Sequence, residues 1–133
     1  TNVLNIQISN NGGASYISVG YNSVSGSNTG STAAFNAGAS TGIPLAYVPS
    51  VAATGVNQAS GSSKLHNLTS GVGLISGEGT AIQYKAGGSP GNVINFELCG
   101  GVYSASVVVN ALRIAMIDGS SFSGTFSLYG YSF

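Results

Sequence analysis

VINFELCGGVYSASVVVNALRIAMIDGSSFSGTFSL, residues Val93 to Leu128, carries the most regular patterning in the chain. Four runs rich in β-branched, aromatic and other apolar residues stand in it, at Val93–Leu98, Val102–Val109, Leu112–Ile117 and Phe122–Leu128. Short strands packed this closely, with turn-forming residues between them, point to a meander or Greek-key sandwich. Asp118 and Gly119 supply a turn between the last two runs. A hairpin there would set Leu112, Ile114 and Met116 against Phe122, Phe126 and Leu128 as opposing core residues.

Toward the N-terminus the pattern is sparser but of the same kind. Leu4, Ile6 and Ile8 alternate with Asn5, Gln7 and Ser9, which predicts a half-buried strand. Asn10–Gly13 is a turn cluster that tolerates positive φ, and Tyr16–Tyr21 reads as a returning strand, so the two are expected to form a hairpin. Asn22–Thr32 is almost entirely Ser, Gly, Asn and Thr and is expected to be a long exposed loop. Ile43–Val48 contains Pro44 and is closed by Pro49; since proline cannot donate to a ladder, it is expected to be at most an edge strand or an extended segment, one that Val51–Val56 could continue. Leu65–Leu68 and Val72–Ile75, separated by Gly71, and then Ala81–Lys85, where Ile82 and Tyr84 alternate with Gln83 and Lys85, are further strands. No segment sustains helical periodicity, and glycine at 21 positions opposes it, at up to ~1 kcal/mol for each glycine inside a helix. The expected fold is therefore all-β: one antiparallel β-sandwich, jelly-roll-like, over residues 1–133.

Composition narrows the function classes. Only 5% of the 133 residues are charged while 43% are hydrophobic, a balance that rules out disorder and implies a surface of Ser, Thr, Asn and Gly. The formal net charge is zero, with Lys64, Lys85 and Arg113 the only cations. No basic stripe exists to neutralise phosphates, so nucleic acid is not an expected partner. No apolar run approaches the ~18 residues of a membrane helix, and no signal-peptide pattern opens the chain, so membrane insertion is not expected. The chain starts at Thr1, which suggests a piece of a longer protein. Cys99, the sole cysteine, can form no internal disulfide and is expected to be a buried, inert thiol.

The segment from Asn110 to Phe133, NALRIAMIDGSSFSGTFSLYGYSF, resembles the C-terminal ending of bacteriophage tail spikes, tail fibres and related virion proteins. The matching residues are Leu112, Arg113 and Ile114, then Phe122, Ser123, Gly124, Thr125, Leu128, Tyr129 and Gly130. The chain departs from that ending by adding Tyr131, Ser132 and Phe133. The resemblance implies a homotrimer in the virion tail, whose terminal domain recognises host-surface glycans, assists trimer assembly or caps the fibre.

Chemistry-bearing residues are few. A Ser-His-Asp triad needs a histidine, and His66 is the only one, held in the run KLHN. Glu78, Glu97 and Asp118 are the only acids; a glycosidase would need two of them to converge, while turn formation and a solvated strand face account for each. One histidine and one cysteine do not make a zinc site, the acids lack calcium-loop spacing, and AGGSPG at 86–91 lacks the lysine of a phosphate loop. Asn67-Leu68-Thr69 matches a glycosylation sequon and is assigned no function. No catalytic residue, metal or cofactor is expected.

Seven tyrosines and no tryptophan are the stronger signal, because tyrosine offers a flat apolar face for a sugar ring and a hydroxyl beside Asn and Ser donors. Tyr16 and Tyr129 are expected to be structural. Tyr21, Tyr47 and Tyr84, near loop ends, together with His66, are the carbohydrate-binding candidates. The expectation is a non-enzymatic module that binds neutral surface polysaccharide; the competing reading is a purely structural trimerisation cap or virion decoration protein.

Overall fold

The alternating N-terminal segment forms strand β1 (Asn2–Ser9). The computed structural model describes residues 2–29, 32–48, 57–69, 71, 74–88 and 91–130. The other strands in chain order are β2 (Tyr21–Thr29), β3 (Thr32–Ser40), β4 (Ile43–Val48), β5 (Asn57–His66), β6 (Ile75–Gly88), β7 (Gly91–Tyr103) and β8 (Ala111–Met116). They build two antiparallel sheets, a three-stranded one ordered β4-β1-β8 and a five-stranded one ordered β3-β2-β7-β6-β5. No helix occurs among the described residues. The predicted all-β antiparallel sandwich is the fold.

Alternation decides what each face buries. In β1, Ile6 and Ile8 are buried, and Ile8 meets Ile43, Tyr21, Ile75 and Val109, with Leu65, Leu112 and Tyr103 packed around them. Fully burying side chains of this size is worth about 1.5–3 kcal/mol each, so this cluster is where the two sheets are joined. Pro44 sits in the outermost strand of the small sheet, where its missing N–H is tolerated, as the edge prediction requires. The inner face of the large sheet is surfaced with small residues where β4 crosses it. A Cβ added at Gly77 would lie 2.7 Å from Ile43 Cγ2 and 2.9 Å from Leu65 Cδ2. Cys99 lies on that face and is buried, as expected of its thiol.

Several local expectations are overturned. Asn10–Gly13 does turn with Gly12 and Gly13 at positive φ, but Tyr16–Tyr21 does not return beside β1. Asn11 Oδ1 accepts the Ser9 hydroxyl at 2.8 Å and the Ser15 N–H at 3.0 Å, folding the segment into a side-chain-pinned loop. Gly20, at φ +83, then redirects the chain into the other sheet, where Tyr21 opens β2. The polar stretch from Asn22 is not a loop: residues 22–29 belong to β2, laddered to β3 on one side and β7 on the other. Backbone pairing to those neighbours, rather than its own apolar content, makes it a strand.

Of Val102–Val109, only Val102 and Tyr103 continue a strand. Val109 is buried and gives its N–H to the Leu68 carbonyl at 2.7 Å, outside any ladder. The last predicted strand, Phe122–Leu128, is absent: residues 119–130 follow the Asp118–Gly119 turn without pairing to β8, so the terminal hairpin does not form. Val51–Val56 lies outside the described residues.

Candidate functional site

Cross-strand register assembles a site that no single segment carries. On the face of the large sheet turned away from the core, Asn22 (β2), Val102 (β7), Ser76 (β6) and His66 (β5) stand in one row. Val24, Gly100, Glu78 and Lys64 form the next row, and Gly26, Leu98, Thr80 and Ser62 the one after. Side chains two apart on a strand share a face, so the three rows form one continuous surface. It is concave, with a groove of about 820 Å³, within the usual size range of small-molecule sites.

Gly100 leaves the middle of the groove without a side chain, so Val24, Leu98 and Val102 form its apolar floor. The β5–β6 side carries the charge. His66 Nε2 lies 3.7 Å from Glu78 Oε1, and Lys64 is the direct cross-strand neighbour of Glu78. Both members of the His66–Glu78 pair are solvent-exposed, so water screens it and it adds little to stability. Its relevance is to a ligand: a carboxylate to accept paired hydroxyls, an imidazole, an ammonium group and the Asn22 amide as donors, over an apolar floor. That combination fits a hydroxyl-rich, uncharged molecule with one apolar ring face.

Of the sequence-predicted binding residues whose side chains are described, His66 lines this groove and Tyr21 does not. Tyr21 is 1% exposed on the opposite face. Its hydroxyl accepts the Ile8 N–H at 3.1 Å, and its ring lies 5.1 Å from that of Tyr103. Burial pushes its hydroxyl above the ordinary phenol range; the Ile8 bond opposes that shift and the neighbouring Tyr103 adds to it. Tyr21 is a core residue, not a ligand for sugar. Tyr47 pairs with Val3 in β4, and Tyr84 stands opposite Gln58 and Ile94 in β6; the side chains of both lie outside the described residues.

Tyr16 and Tyr129, expected to be structural, both lie outside the strands. Tyr16 lies in the loop after β1, beneath the Arg113 guanidinium at 4.4 Å, and Tyr129 is 77% exposed beyond the last strand. Sequence reading missed Asn22, Ser76 and Lys64 as companions of His66, because only the pairing register brings them together.

The three acids occupy separate places. Glu78 lines the groove, Glu97 pairs with Ser27 and Ala81 in the large sheet, and Asp118 caps the turn after β8 by accepting the Ser120 N–H at 2.8 Å. Among the described residues no three His, Cys, Asp or Glu side chains cluster as metal ligands, and no helix is long and apolar enough to cross a membrane. Compared with protein families, with curated proteins and with solved structures, the chain matches none.

Proposed function

We propose that this domain is the C-terminal module of a bacteriophage tail spike or tail fibre, a homotrimer on the virion tail that binds host-surface polysaccharide without cleaving it. The observation that carries the binding role is the open groove on the large sheet, with its apolar floor of Val24, Leu98 and Val102 and its rim of Asn22, Ser76, Lys64, His66 and Glu78. Its charges sum to zero with histidine neutral, which suits a neutral glycan. The separation of the acids supports binding over hydrolysis, since a glycosidase needs two carboxyl groups flanking one bond.

A specific observation also favours the structural reading, in which the domain trimerises the fibre. Exposed Ile82 and Phe96 lie in the row beyond Leu98 and Thr80, at the end of the groove away from His66 and Glu78, and Phe122, Phe126 and Leu128 are exposed in the segment after β8. Copies of this chain meeting there would leave the His66–Glu78 end open, so the two roles are compatible.

A glycan-array screen of the domain, run beside light-scattering mass measurement, tests both. A trimer that binds a surface polysaccharide saturably, and loses at least tenfold in affinity in H66A/E78Q with no change in mass, is the expected result. A stable trimer that binds nothing overturns the recognition role and leaves the cap; a monomer overturns the assembly reading.

A further inference from the structure

The open edge of the three-stranded sheet and the segment that follows it have matching faces. Among the described residues β8 is laddered to β1 alone. Ile117 donates its N–H to the Val3 carbonyl at 2.9 Å, and bonds to one neighbour recur at every second residue of an antiparallel ladder. The N–H groups of Leu112, Ile114 and Met116 and the carbonyls of Leu112 and Ile114 therefore point to the other edge, while the Met116 carbonyl accepts the Gly119 N–H at 3.1 Å. The side chains of β8 divide between two faces. Met116 is buried and Leu112 and Ile114 half-buried on one, and Arg113 is exposed on the other. An open edge of this kind is a template for a further strand.

Residues 120–130 have the form of a strand without a ladder. Their backbone runs without a turn or bend and joins neither sheet. Phe122, Gly124, Phe126 and Leu128 alternate with Ser123, Thr125, Ser127 and Tyr129, and no residue of the segment is charged. The Phe122 and Phe126 rings meet edge to face at 5.8 Å, so the apolar side of the segment is already assembled, yet Phe126 is half exposed and Leu128 84% exposed. The other sheet edges suit it less. Strand β4 carries Pro44, which has no donor, and β3 and β5 are built mainly of small and polar residues. On β8, a register that sets Phe122, Gly124 and Phe126 opposite Leu112, Ile114 and Met116 extends the core face; a slip by one residue would move every aromatic ring to the Arg113 side.

We propose that residues 120–130 of one copy add a strand to the open edge of β8 in a second copy, exchanging ladder hydrogen bonds with the backbone of Leu112 and Ile114. The occupant is a second copy because every chain carries both halves of the contact, and after the Met116–Gly119 turn its own segment forms no ladder there. The two surfaces differ, so the contact runs head to tail, and three copies close it into a ring. This rests on the assembly reading above and names the contact that makes it; the groove takes no part.

Light scattering on the wild type, G124P and G124A tests the ladder. Proline at 124 removes a donor from a segment that forms no strand of either sheet, whereas alanine keeps the donor and meets the Phe126 ring at 3.6 Å, an ordinary contact. The wild type and G124A should have the mass of three chains and G124P that of one, all with the same β-type circular dichroism. A spin label on S127C tests the location, Cys99 being buried and left in place. Copies carrying the label are mixed in urea with nitrogen-15 copies lacking it and refolded together, and the Leu112 and Ile114 amides of the latter should relax at least twofold faster. A trimer that survives G124P, or enhanced relaxation at Ile82 and Phe96 in place of β8, overturns the strand addition and leaves the assembly reading standing. Enhanced relaxation of β8 only in chains that bear the label themselves puts the segment on its own edge and overturns the exchange. Dissociation of G124A as well as G124P overturns the backbone role, a dimer overturns the ring, and a wild-type monomer overturns the assembly reading together with this contact.

Discussion

Replacing Tyr21 with phenylalanine separates a core role from a binding role. Strand β4 pairs with β1 no further than Ile6, so the N–H and carbonyl of Ile8 have no strand beside them on that side. Tyr21 Oη takes the N–H at 3.1 Å and the Ile17 N–H meets the carbonyl at 2.9 Å. Phenylalanine keeps the ring packing against Tyr103 and removes only the acceptor, leaving a buried donor orphaned at a cost of about 1–3 kcal/mol. For a domain of this length a 2 kcal/mol loss lowers Tm by on the order of 6–10 °C, readable by calorimetry at fixed protein concentration.

The pH profile supplies an independent check on Y21F. Because burial holds the Tyr21 pKa above its unfolded value, the folded state keeps a proton that the unfolded state releases. Its contribution is complete below about pH 10 and is lost as pH rises through the folded pKa. The stability gap between wild type and Y21F should therefore narrow above pH 10. A variant with wild-type Tm and weakened glycan binding would refute the assignment and return Tyr21 to the ligand.

Three further outcomes follow from the same geometry. G77A should lose about 1–3 kcal/mol by forcing Ile43 and Leu65 off their rotamers, seen as a lowered urea midpoint; an unchanged midpoint would mean that β4 does not press on β6. Cys99 is buried and should react with a thiol reagent only as the domain unfolds, so labelling at the native rate of an exposed thiol would contradict its placement. A chain ended after Gly119 should keep its β-type circular dichroism, since residues 120–130 form no strand of either sheet, but sediment as a monomer; a persistent trimer would remove Phe122, Phe126 and Leu128 from the interface.

What the sequence discloses depends on whether a residue's role is set locally or by its neighbour. Leu4, Ile6 and Ile8 reveal β1 because period-two burial is written in the segment itself, and Pro44 reveals an edge because its missing donor excludes a central place. Strand β2 is illegible because Ser, Gly and Asn dominate it and its ladder to β7 depends on another strand's backbone. Phe122, Phe126 and Leu128 alternate as a strand should, yet alternation records that a segment suits a sheet and not which sheet receives it. The groove has the same character: His66 stands out as the sole histidine, while Asn22 and Ser76 become its neighbours only through register. Asn5 and Gln7 mislead in the opposite sense, since their polarity predicts solvent and the Thr41 corner and Arg113 cover them.

The two faces of the large sheet are coupled by that alternation. Gly77 and Gly101 admit Ile43 and Pro44 on the inner side, and the residues flanking them, Ser76, Glu78, Gly100 and Val102, form the groove on the outer side. The polar end of the groove is thus backed by the hydrophobic core, where Ile43 and Ile75 are fully buried. A site on such strands loses little conformational entropy on binding, which lets a shallow, nearly uncharged surface hold a weakly interacting ligand. Toward Ile82 and Phe96 the outer face is apolar and exposed. On the proposed reading, recognition would fall at the polar end of the groove, which the core backs, and assembly at the end where apolar surface is exposed.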